Sequence, residues 1–132
     1  MDAPREVKTA ILLSWMVLAL DSINNIYAHI ERLDQIDGFL FRFILTAVTL
    51  ATISITALFI FFASRRRNWA RRALLIWTFG SWTLWFFWPP VIADYSWWKW
   101  LASGLLVSLE LIALVLLFFG KGRQWYLPVA TE

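Results

Sequence analysis

Cysteine is absent from this 132-residue chain, which excludes disulfides, thiolate nucleophiles and cysteine-ligated metals. Histidine occurs once, as His29, so no metal site and no cofactor are expected. Without a thiol, a second histidine, a glycine-rich phosphate loop or a nucleophile elbow, the sequence carries no enzyme constellation. Charge is also scarce: 16% of residues are Asp, Glu, Lys or Arg, against about 25% in a soluble domain. Long polar connections are missing as well. The longest, 64–72, leaves no room for a soluble domain.

What is abundant is apolar length. Hydrophobic residues make up 61% of the chain, and the mean hydropathy is +0.65. A hydrocarbon core about 30 Å thick takes about 20 apolar helical residues to cross. Four segments reach that length: 9–30, 39–63, 70–93 and 97–119. The expected fold is therefore an all-α membrane protein, with four transmembrane helices in an up-down-up-down bundle and one membrane domain over 1–132. The first segment has the basic flank of a signal peptide in Arg5 and Lys8. Its apolar run continues into Asp21-Ser22-Ile23-Asn24-Asn25 without a small-x-small cleavage site, so it reads as a retained span.

Lysine and arginine near span ends stay cytoplasmic. With both termini inside, that side holds Arg5, Lys8, Arg65, Arg66, Arg67, Arg71, Arg72, Lys121 and Arg123, and the other side only Arg32, Arg42 and Lys99. Nine against three predicts a multi-pass membrane protein, N-in and C-in. The net charge of +3 belongs to this topology signal and implies no nucleic-acid partner. Arg65, Arg66, Arg67, Arg71 and Arg72 are candidates for contact with anionic lipid headgroups or an acidic partner, each worth about 1 kcal/mol at an anionic surface. The simpler reading of the five is orientation alone.

Tryptophan occurs ten times, and indole favours the headgroup level. Trp85, Trp88, Trp97, Trp98 and Trp100 gather around the outer ends of the third and fourth spans, and Trp69 and Trp125 mark the inner boundary. Interface anchoring accounts for them, with an aromatic cage for a cation as the alternative. Pro89-Pro90 is expected to end or kink the third helix.

The residues that cost most where they lie are Asp21 and Glu110, since a mid-span carboxylate costs about 2.5–3.5 kcal/mol on insertion scales. At about 1.5 Å per residue, Asp21 lies roughly 18 Å from the start of its span and Glu110 roughly 14 Å from the end of its own, so both fall at similar depth. Ser14, Asp21, Asn25 and His29 share one helix face, as do Arg42, Thr46, Thr49 and Thr56 on the second span, and Ser103 and Glu110 on the fourth. The candidate intramembrane polar site is Asp21, Asn25, Glu110, Arg42, Thr46 and Thr49. Arg42 is expected to snorkel outward, with an ion pair to Asp21 or Asp37 as the alternative. The stripes serve either as a hydrogen-bonded core that locks the helices or as a path for protons, cations or a small cationic solute.

Pro4-Arg5-Glu6-Val7-Lys8, Asn68-Trp69-Ala70-Arg71, Leu116-Leu117-Phe118 and Trp125-Tyr126, in that order, resemble a broad set of small bacterial inner-membrane proteins with four spans. The resemblance runs loosely along the whole chain, and Asn68-Trp69-Ala70-Arg71 is its most specific part. It implies no assigned activity and carries over no functional residue. Small multidrug transporters are similar in architecture alone. Their membrane glutamate sits in the first span, where this chain has Asp21 late in the helix, and Glu110 has no counterpart among them. The nine-to-three bias also opposes dual topology.

Two functions follow as expectations. The first is an accessory subunit acting through protein or lipid contacts, in a homo-oligomer or larger membrane complex within the lipid bilayer. The second is a proton- or cation-coupled small-solute transporter or channel working as an oligomer.

Overall fold

The computed structural model describes residues 2–87 and 96–127, with the side chain of Trp85 left aside. Five helices follow one another: α1 (Arg5–Leu33), α2 (Phe39–Ser64), α3 (Asn68–Phe87), α4 (Trp97–Phe118) and the short α5 (Gly120–Tyr126). Among the described residues there is no strand. Helices α1, α2 and α4 are each long and apolar enough to cross a membrane.

The third helix departs from the expectation of four spans. As described it is not long and apolar enough to qualify. Its first turn carries Asn68, Arg71 and Arg72, so its apolar part begins at residue 73 and runs to Phe87, roughly 22 Å of helix against a hydrocarbon core of about 30 Å. The end expected at residue 93, together with Pro89-Pro90, Trp88 and Asp94, lies outside the described residues.

Helix α2 returns along α1, α3 along α2, and α4 packs against α1. The loop between α1 and α2 ends on Gly38, whose φ of 107° suits a residue without Cβ. Hydroxyls inside the apolar helices find acceptors one turn back. Thr46, Thr49, Thr52, Ser54 and Thr56 donate to the carbonyls of Arg42, Leu45, Val48, Leu50 and Thr52. A hydroxyl satisfied by its own helix can lie in an apolar helix without a cross-helix partner.

The core lies at the end of the molecule that holds the start of α1 and the connection between α2 and α3, here called the arginine end. Val7, Ala10, Ile60, Leu74, Leu114, Leu117, Trp125 and Tyr126 form one buried cluster there. The sequence reading leaves everything after 119 as tail, whereas residues 120–126 fold back as α5 and supply two of those eight side chains. Two glycines permit the return. Gly120 takes φ 58°, a left-handed value with low cost for glycine. Gly122 lies so close to the Leu116 carbonyl that a Cβ would collide with it. Trp125, expected as an exposed interface anchor, is consequently buried at 8% exposure, while Trp69 remains at 53%.

Candidate functional site

The interior faces of the helices change character along their length. On α1 the buried residues Val7, Ala10, Ser14 and Val17 recur at helical spacing, and the same face continues through Asp21, Asn25 and His29. Burial ends at Val17: Asp21 and Asn25 are exposed and His29 is half-buried. On α4, Glu110 follows the stripe of Ala113, Leu114 and Leu117 toward the opposite end and is half-buried. On α2, the stripe of Ala63 and Ile60 leads to Thr56, Thr49 and Thr46, all half-buried. The helices close on one another at the arginine end and leave their polar interior accessible toward the other.

Three polar links join helices within this region. The Glu110 carboxylate accepts from the Trp82 indole Nε1–H at 2.9 Å and from the Thr78 hydroxyl at 3.3 Å, tying α4 to α3. The Trp77 Nε1–H donates to the Thr56 hydroxyl at 2.8 Å, tying α3 to α2. His29 Nε2 stands 2.9 Å from the Thr46 hydroxyl, tying α1 to α2. Because the Thr46 hydroxyl already donates to the Arg42 carbonyl, it accepts from the ring, which places the imidazole proton on Nε2.

Asp21 accepts from the Asn25 amide at 2.9 Å, one turn along its own helix. Asp21 on α1 and Glu110 on α4 each continue the buried stripe of their own helix away from the arginine end. Arg42 joins neither. Its guanidinium Nε donates to the Ile36 carbonyl at 2.8 Å in the loop before α2, and among the described residues no ion pair links it to Asp21 or Asp37. Thr49 is engaged with its own helix. Of the six residues singled out by the sequence, Asp21, Asn25 and Glu110 belong to the accessible interior, Thr46 ties α1 to α2, and Arg42 and Thr49 bond locally.

The five loop arginines also divide. Arg66 turns inward at φ 61°, donating through Nε to the Trp125 carbonyl at 2.6 Å and through an Nη to the Leu127 carbonyl at 3.3 Å. Arg71 is 6% exposed. It donates to the Leu117 carbonyl in the last turn of α4 at 3.0 Å and lies over the rings of Phe118 and Tyr126 at 4.5 and 4.6 Å. A cation among the last carbonyls of a helix meets the negative end of its dipole, and the two rings add cation–π attraction. The Tyr126 hydroxyl completes the knot by donating to the Ala63 carbonyl at 2.7 Å. Burial pushes the Tyr126 phenol up to about 12, against an opposing pull from Arg71. Arg65, Arg67 and Arg72 remain exposed, Arg65 over the Phe61 ring at 5.1 Å.

Sequence reasoning missed Thr78, Trp77 and Trp82 as partners of the polar stripes. Their signal was present in part, since Leu74, Thr78 and Trp82 repeat every four residues down one face of α3. Trp97, Trp98 and Trp100, at the far end, are all exposed. No protein-family model, curated protein or solved structure matches this chain.

Proposed function

We propose that the chain is a small four-pass protein of a bacterial inner membrane, with both termini cytoplasmic, that acts as an accessory subunit within an oligomer or larger complex. The observation that carries this reading is the exposure of Asp21 and Asn25 on a face that is buried as far as Val17. A carboxylate in hydrocarbon is costly unless a polar group meets it. A helix from a second copy or another subunit, packed along the accessible interior, would supply that group. The nine-to-three arginine and lysine bias supports the orientation, with α3 as the remaining crossing.

Gentle extraction of the tagged protein from its native membranes tests the reading. The expected result is an assembly larger than the 15.5 kDa monomer, with a defined partner or a fixed copy number. A monomer without partner overturns it.

One observation favours transport as a second reading. Asp21 and Glu110 both lie beyond the buried cluster of Ile60, Leu117 and Tyr126 that fills the arginine end, so the polar stretch is accessible from the other end. Proteoliposomes without solute-dependent proton movement across a broad cation panel would end this alternative.

A further inference from the structure

At the arginine end, a groove of about 290 Å³ runs between the first turns of α1 and the end of α2. Its lining is Ala3, Val7, Ile11, Leu12 and Trp15, with Lys8 and Ser64 as its polar members. From Lys8 to Trp15 the helix advances about 10 Å. The groove therefore has a cation near one end and two turns of apolar wall beyond it.

We propose that this groove seats one acyl chain of an anionic phospholipid, with the Lys8 ammonium on its phosphate. The charge at the mouth argues for an anion. Among the described residues no carboxylate pairs with Lys8. The nearest acid in sequence, Glu6, is engaged with Lys121 at 3.6 Å. Arg65, next in the chain after the lining residue Ser64, is exposed. The wall argues for hydrocarbon. Leu12 is 60% exposed and Trp15 39% exposed, and an acyl chain lying between them and Ile11 covers apolar surface that a water-soluble anion would leave bare. The order of charge first and hydrocarbon deeper matches a phospholipid whose headgroup sits at the membrane surface. The proposal rests on the membrane placement above but on neither functional reading.

Brominated acyl chains quench tryptophan on contact, which makes Trp15 the reporter. The whole protein would be reconstituted with brominated phosphatidylglycerol or brominated phosphatidylcholine, and the quenching in Trp15→Phe subtracted. The expected result is Trp15-dependent quenching at about fivefold lower mole fraction of phosphatidylglycerol than of phosphatidylcholine. Lys8→Ala should bring the two lipids together, and Lys8→Arg should keep them apart. Equal quenching by both lipids, a preference unchanged in Lys8→Ala, or no Trp15-dependent quenching while the other tryptophans respond would each overturn the proposal. Quenching of no tryptophan by either lipid would overturn the membrane placement itself, and this proposal with it.

Discussion

The Trp82 indole donates to the Glu110 carboxylate across 2.9 Å, from one helix to the next. Together with the Thr78 hydroxyl on the other oxygen, it makes Glu110 the polar joint between α3 and α4. The joint asks for an acceptor at residue 110 and not for a charge.

Glu110→Gln should therefore assemble and unfold close to wild type, since the amide oxygen still accepts from α3. Glu110→Leu should lose about 1–3 kcal/mol, the usual consequence of leaving a buried hydroxyl and a half-buried indole N–H unmatched. Thermal or denaturant unfolding in a fixed detergent compares the two. Equal losses for Gln and Leu would show that an acceptor at residue 110 is not what the joint needs.

Arg71 offers a second discrimination. It bonds the last turn of α4 and stacks on Phe118 and Tyr126 at once, which needs a planar guanidinium. Arg71→Lys should recover only part of the stability lost in Arg71→Met, itself a loss of about 1–3 kcal/mol. Full rescue by lysine would mean that charge alone matters there.

The sequence made much of this fold legible. The expected segments 39–63 and 97–119 match α2 (Phe39–Ser64) and α4 (Trp97–Phe118) almost to the residue, because each begins and ends where the apolar run does. Helix α1 outruns its apolar segment at both ends, since Arg5–Lys8 and Glu31–Leu33 are helix-compatible although hydropathy excludes them. Helix α5 was hidden for the opposite reason: seven residues with two glycines carry no periodic signal. Partners across helices were not legible either. Spacing gives the face that Glu110 shares with Ser103, but the rotation of α3 that brings Thr78 and Trp82 to it depends on packing.

The return of α5 depends on Gly122. A Cβ there meets the Leu116 carbonyl, so Gly122→Ala should undock the segment, parting Tyr126 from Ala63 and Arg66 from Trp125. Trypsin cleavage after Arg123 should become severalfold faster, with the membrane helices intact by circular dichroism. An unchanged cleavage rate would contradict this role.

Tyr126 gives the pH dependence. Its phenol keeps its proton up to about 12 in the folded chain, against an ordinary value of 10.0. Above pH 10 the unfolded chain gives up that proton first. Stability from this residue is thus complete below pH 10 and declines between pH 10 and about pH 12. The phenolate absorbance missing from Tyr126→Phe should appear near the upper limit. A midpoint at 10 would mean that the hydroxyl is neither buried nor held by Ala63.

The proposed topology has four membrane crossings, and the third, by α3, is the one whose described helix is too little apolar to qualify by itself. Reporter fusions after Gly38, Arg67, Ser96 and Glu132 measure this directly. The predicted result is outside, inside, outside and inside in that order. Fusions after Arg67 and Ser96 reporting the same side would show that α3 does not cross, and would contradict the account.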